Sequence, residues 1–205
     1  MARPPIIKPG ESYTFRKYFE LSFNSEDILA EFGCSLVREQ LNFSSFQNIS
    51  VGDVLGLKNQ LIENLTIVDL TSEAARREIL IAPILLEVCR SARAQLKIEY
   101  PVYINELLKG NLDYLVQSSG NILVVEAKNA DLSKGFTQLA VELIALDSWT
   151  NSDASLLHGA VTTGDIWKFG LLHRQTKQIV QDINLYRVPA DIEELLRILI
   201  GIVSS

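Results

Sequence analysis

Apolar residues recur along the chain with two different periods, and where the period changes an element boundary is expected. TFRKYFELSF (14–23) alternates and predicts a short strand after the proline-marked lead-in of Pro4, Pro5 and Pro9. Ser25 followed by Glu26 and Asp27 predicts a capped helix running through EDILAEFGCSLVREQL, with Ile28, Leu29, Phe32 and Leu36 at helical spacing. A loop, NFSSFQNISVGD, leads to a second amphipathic stretch, VLGLKNQLIENLTIVDL. Residues 1–70 therefore read as an N-terminal accessory segment packed on a core formed by 71–205. Thr71 or Ser72 caps a long helix, SEAARREILIAPILLEVCRSARAQL, apolar almost all round in its middle and open to a kink at Pro83. KIEYPVYI, LDYLVQ and ILVVEAK, joined by short turns, predict a three-strand antiparallel meander. A helix follows from Leu132 to Trp149, striped by Phe136, Leu139, Ala140, Leu143 and Ile144. Further strands then lead to a final helix, ADIEELLRILIGIV. The order is that of an α/β fold with a mixed central sheet flanked by helices.

Composition narrows the function classes. With 205 residues and 47% hydrophobic content the chain can bury a substantial core. The net charge of -6 supplies no global basic field for nucleic acid, so an anionic partner must be held locally or through a cation. Cys34 and Cys89 fall in expected helices without paired spacing, which suits a reducing, cytoplasmic setting. The start has no signal-peptide core, and the run from Ile79 to Leu86 is too short to span a bilayer, so a soluble protein without a membrane partner is expected.

Within GNLDYLVQSSGNILVVEAKNA (110–130), charges interrupt runs that otherwise belong inside. Alternation puts Ile122, Val124, Glu126 and Lys128 on one face of their strand. A hairpin closed at SSGN pairs Gln117 with Ile122, Leu115 with Val124 and Asp113 with Glu126. Two carboxylates facing each other at about 5 Å destabilise a bare sheet. A divalent cation such as Mg²⁺, or Mn²⁺, relieves that repulsion, and Lys128 beside it could orient or deprotonate a bound water or stabilise phosphate charge. Against this stands the ordinary case, a surface ion pair of Asp113 with Lys128 that contributes little.

The set G-N-L-D-Y-L-V, I-L-V-V-E-A-K and Gln138 in G-F-T-Q-L-A-V-E-L resembles the PD-(D/E)XK nuclease superfamily, of restriction-endonuclease-like fold. It is nearest to the N-terminal nuclease domains of type I restriction subunits and their relatives. The likeness covers roughly Ser72 to Val188 and takes in V-T-T-G-D-I-W-K-F. It implies that Asp113 and Glu126 ligate Mg²⁺, that Lys128 serves hydrolysis, and that Gln138 supports the site through a QxxxY pattern. Glu142 stands where that pattern has an aromatic, and Leu112 where the name has proline. Many members add a carboxylate from the preceding helix. Glu73 and Glu87, fourteen residues apart, share a face of a regular helix. Glu87 is preferred because it ends an apolar run, although it could instead turn to solvent or pair with Arg90 or Arg93.

The expected activity is metal-dependent hydrolysis of phosphodiester bonds in nucleic acid, DNA ahead of RNA. The alternative is a catalytically silent binding or assembly module of the same fold. A homodimer or a place in a larger complex is compatible with the apolar final helix. His158 and His173 lack ligand spacing, and Ser44 and Ser45 lack a partner base. Arg76, Arg77, Arg90, Arg93, Lys97, Lys109, Lys134 and Lys168 could line a phosphate track, against a default of solvated charges. Tyr114, Trp149 and Trp167 read as packing residues.

Overall fold

The alternating segments of the second half of the chain join into one mixed sheet. The computed structural model describes residues 5–8, 10–43, 46, 51–118 and 120–204, so Pro4, Pro9, Ser44, Ser45 and Ser119 lie outside the described residues. The elements run α1 (Phe15–Glu20), α2 (Ser25–Ala30), β1 (Ser35–Glu39) and α3 (Val51–Ile67). One long helical segment follows: α4 (Glu73–Arg76), a π-helical turn (Arg77–Ile81) and α5 (Ala82–Ala92). The remainder is β2 (Gln95–Asn105), β3 (Leu108–Gln117), β4 (Ile122–Ala127), α6 (Leu132–Trp149), β5 (Leu156–Thr162), β6 (Ile166–His173), β7 (Gln178–Asp182), β8 (Tyr186–Arg187) and α7 (Ile192–Ser204). The eight-stranded sheet has the order β1-β7-β6-β5-β4-β3-β2, with β8 beside β6. β2, β3 and β4 form the expected antiparallel meander, and α6 carries the chain from β4 to its parallel neighbour β5.

Both faces of the sheet are covered, which is why β4 is buried along its whole length and reads as an unbroken apolar run before Glu126. On one face Leu61 of α3, Leu80, Ile84 and Val88 of the long helix and Leu196 and Leu199 of α7 pack against Val116, Leu123, Val125, Trp167 and Phe169. On the other, Phe15, Tyr18, Ile28 and Leu29 join Phe136, Leu139 and Leu143 of α6 against Leu112, Leu115 and Val124. The apolar stripe of α7 thus covers its own sheet. Trp167 is fully buried and donates from Nε1 to the Gly164 carbonyl at 3.1 Å, a packing role.

Three expectations fail locally, each for a physical reason. The segment 14–23 contains a helix, α1, where a strand is expected. Phe15 and Tyr18, three apart, are buried together while Arg16 and Lys17 both face out, a helical rather than an alternating arrangement. The helix from Ser25 stops at Ala30, where Gly33 takes φ 70 and the Cys34 amide donates back to the Leu29 carbonyl at 3.0 Å. Residues 35–39 then pair in parallel with β7, and Cys34 lies buried in the connection rather than in a helix. The long helix ends at Ala92, with Arg93 at φ 51, and Gln95 and Leu96 belong to β2.

The helix start is as expected, with Ser72 Oγ accepting from the Ala75 amide at 3.0 Å. Its irregularity precedes Pro83. Proline cannot donate to the carbonyl four residues back, that of Ile79. Asn64 of α3 fills the gap, donating from Nδ2 to Ile79 O at 3.2 Å.

Candidate functional site

Sheet register brings the charged residues of 110–130 to one place. β3 and β4 pair Gln117 with Ile122, Leu115 with Val124 and Tyr114 with Val125, so Asp113 and Glu126 follow on the same face. Backbone pairing ends at Tyr114 and Val125, and beyond it the Asp113 side chain takes over, its Oδ2 accepting from the Ala127 amide at 2.8 Å. Lys128 lies just past β4, its own amide donating to Thr162 O on β5 at 2.8 Å. The face of α6 that packs on β4 supplies Gln138 and Glu142, one helical turn apart.

Burial makes these charges depend on one another. Glu126 is 2% exposed, Lys128 8%, Gln138 3% and Glu142 fully buried. Glu126 Oε1 accepts from both the Lys128 ammonium and Gln138 Nε2, the latter at 2.6 Å. The same Gln138 nitrogen donates to Glu142 Oε1 at 2.9 Å, so the amide is oriented by two acceptors. Glu126 Oε2, Gln138 Oε1 and Glu142 Oε2 are buried without a hydrogen-bond partner. Lys128 Nζ also stands 5.0 Å from the centre of the Phe19 ring of α1.

Burial pushes the Glu142 carboxyl up to about 8, despite the hydrogen bond from Gln138. Burial also raises Glu126, reinforced by the neighbouring Glu142 and Asp113 carboxylates and opposed by Lys128. Burial pulls Lys128 down, but the charge and hydrogen bond of Glu126, with Asp113 and Glu142, more than reverse this and hold it above the ordinary lysine value. Asp113 is raised by burial, which outweighs the Ala127 amide and the Arg77 and Lys128 charges. Burial thus holds the Glu142 and Glu126 carboxyls up together, while Lys128 keeps its proton beside Glu126.

Asp113, Glu126, Lys128 and Gln138 all line one open cavity of about 870 Å³. Its walls also contain Arg16, Phe19, Glu20, Glu73, Arg77, Glu99 and Asp131. The cavity therefore includes a wall from α1, which the sequence pattern did not connect with the site. α1 is seated there by Tyr18, whose hydroxyl donates to Leu107 O at 2.8 Å, and by Gly110, where an added Cβ would meet the Phe15 ring at 2.9 Å.

Glu87 is not brought to this cavity. It lies in a different hollow between α3 and α5, 3.1 Å from Arg90 and within 3.3 Å of Ser91 Oγ. The preference for Glu87 rested on the apolar run before it, and only the placing of Glu73 and Glu87 on one face assumed a regular helix. The π-helical turn adds a residue to the 3.6-residue repeat and rotates the faces beyond it by roughly 100°, and Glu73 is the one that lines the cavity. Glu142 was visible in sequence only as a departure from an aromatic position. The available signal was a glutamate four residues after Gln138 in an otherwise apolar helix middle.

Asp113 and Glu126, with the unpartnered Glu126 Oε2, suit a hard cation that takes two carboxylates and fills its remaining positions with water or phosphate oxygens. Among the described residues, no group of three or more His, Cys, Asp and Glu side chains is placed to hold a metal by itself. None of their helices is long and apolar enough to cross a membrane. No family model matches the chain, and no curated protein matches it.

Proposed function

We propose that this protein is a metal-dependent phosphodiesterase with a restriction-endonuclease-like core, hydrolysing nucleic acid, DNA ahead of RNA. The observation that carries this reading is the buried Glu126–Lys128–Gln138 set, with one Glu126 oxygen left without a partner, opening beside Asp113 into a single cavity. Burying two charges and an amide in this way is costly for folding, and a catalytic centre is a reason to keep them. Asp113 and Glu126 would hold Mg²⁺ or Mn²⁺, which when bound supplies an activated water and charge neutralisation. Gln138 fixes the direction of the Glu126 carboxylate through its amide. Lys128 holds a proton beside the same carboxylate, where its ammonium can orient a nucleophilic water or stabilise charge developing on a phosphate oxygen.

The test is cleavage of single-stranded, duplex, nicked and branched DNA, and of RNA, with Mg²⁺ or Mn²⁺. The expected result is cation-dependent product from the wild type and at least a hundredfold less from Asp113→Asn and Lys128→Gln. Equal background from all three proteins would remove this reading.

A catalytically silent module of the same fold is favoured by one observation: Glu142 occupies, fully buried, the place where the resemblance expects an aromatic. Calorimetry separates the two readings. Mg²⁺ binding that disappears in Asp113→Asn supports the enzyme, and no Mg²⁺ binding by either protein supports the module.

A further inference from the structure

Of the two cavity cations without a role in the proposed hydrolysis, Arg16 and Arg77, Arg77 is the one beside Asp113. It begins the π-helical turn, and its side chain is 19% exposed. One guanidinium nitrogen, Nη1, pairs with Glu99 and lies 3.6 Å from Asp113 Oδ1. The guanidinium stands over the Tyr114 ring, 5.2 Å from its centre, and the Tyr114 hydroxyl donates to Arg77 O at 3.3 Å. Aromatic support and the two carboxylates therefore hold a planar, forked donor at the candidate cation site, an arrangement suited to paired phosphate oxygens. Its neighbour Arg76 is committed elsewhere, donating to Leu70 O, Thr163 O and Asp165.

Glu99 is the weak member of this arrangement. Its side chain is half exposed, and its backbone takes φ 52, a conformation rare for residues other than glycine. The β2–β3 ladder pairs Ile98 with Tyr114 and Tyr100 with Leu112, and passes over Glu99. Moving the Glu99 carboxylate off Arg77 therefore breaks no strand pair. The cavity wall also carries more carboxylates than cations: Glu20, Glu73, Glu99, Asp113, Glu126 and Asp131 against Arg16, Arg77 and Lys128. An entering anion gains most where one of those carboxylates can leave.

We propose that Arg77 grips a phosphodiester oxygen of the substrate and that Glu99 is its resident counter-anion, displaced when the substrate enters. The proposal rests on the phosphodiesterase reading and deepens it. Arg77 is a substrate-binding residue, and Glu99 sets the threshold for entry by competing for the same fork.

The test follows the ¹⁵N signal of the Arg77 side chain during titration with dimethyl phosphate, the smallest phosphodiester, in wild type, Glu99→Gln, Arg77→Lys and Arg77→Gln. In Glu99→Gln the half-saturating concentration should fall by roughly fivefold, the size of a partly exposed ion pair. Arg77→Lys keeps the charge without the fork, and Arg77→Gln removes both. Followed through the backbone amides of Tyr114 and Ala127, both should bind about tenfold more weakly or worse. An Arg77 signal unmoved in both wild type and Glu99→Gln, or equal affinities in the two, overturns the proposal. Mg²⁺-dependent DNA cleavage measured in parallel keeps the two ideas apart. Cleavage with an unresponsive Arg77 retains the enzyme and removes the grip. Dimethyl phosphate bound at Arg77 without cleavage retains the grip and removes the enzyme.

Discussion

Glu142 shows how one side chain couples the site to the stability of the fold. Its folded value of about 8 lies above the ordinary 4.5, so between these pH values the folded protein binds more protons than the unfolded chain. The contribution of Glu142 is therefore fully favourable below about pH 4.5, declines as pH rises through 8, and is lost above it. At ~1.4 kcal/mol per unit, the span corresponds to a few kcal/mol. Glu142→Gln keeps a hydrogen-bonding group near Gln138 and removes the titration. Urea unfolding at pH 5 and pH 8 should show the variant losing less stability over that interval than the wild type. Lys128 has the opposite role, because without it Glu126 would be a buried charge with no counter-charge. Lys128→Ala should cost about 3 kcal/mol in the same measurement, with much of the loss recovered in Lys128→Ala/Glu126→Gln. At this scale Asp113, Glu126 and Lys128 were legible because strand parity and hairpin register depend on local spacing, whereas Gln138 was singled out only through the family resemblance. Glu142 stood out only as a departure from an expected aromatic, and Arg77 only as one of several basic residues that could line a phosphate track, because the place of each in the site comes from what packs against it.

At the scale of elements, the site depends on how closely α6 approaches the sheet. Gly159 of β5 and Gly170 of β6 face each other across the ladder. A Cβ at Gly159 would meet Leu139 at 2.7 Å, and one at Gly170 would meet Phe136 at 2.5 Å. Gly170→Ala should therefore destabilise the protein by about 1–3 kcal/mol through overpacking. It should also reduce any metal-dependent cleavage, because lifting α6 moves Gln138 off Glu126. Asn64→Ala removes the side-chain hydrogen bond to the Ile79 carbonyl and should cost about 1 kcal/mol, read by urea unfolding. The strands of the meander and α6 were legible from period alone. α1 and β1 were not. In α1 a six-residue aromatic segment fits either period, and in β1 pairing with β7 outweighs a local helical pattern that Gly33 has already interrupted.

For the whole molecule, the net charge of -6 sets how nucleic acid should bind. A protein that contacts phosphates through three cavity cations, Arg16, Arg77 and Lys128, releases few counterions. With Ca²⁺ present to support binding without turnover, the plot of log affinity against log salt for duplex DNA should have a slope of about -3. A slope near -8 would require a broad basic surface instead. The same measurement distinguishes a local site from a general electrostatic one.

The sequence by itself determined the mixed α/β class, the meander, the helix that follows it, and the facing of Asp113, Glu126 and Lys128, because each depends on periodicity and short-range turn geometry. Only the tertiary structure decided that Glu73 rather than Glu87 lines the cavity, that α1 forms one of its walls, that Glu142 is buried behind Gln138, and that Glu99 sits on Arg77. A π-helical turn, a parallel edge strand and contacts between residues far apart in the chain leave no local period to read, so these placements exist only once the elements have packed.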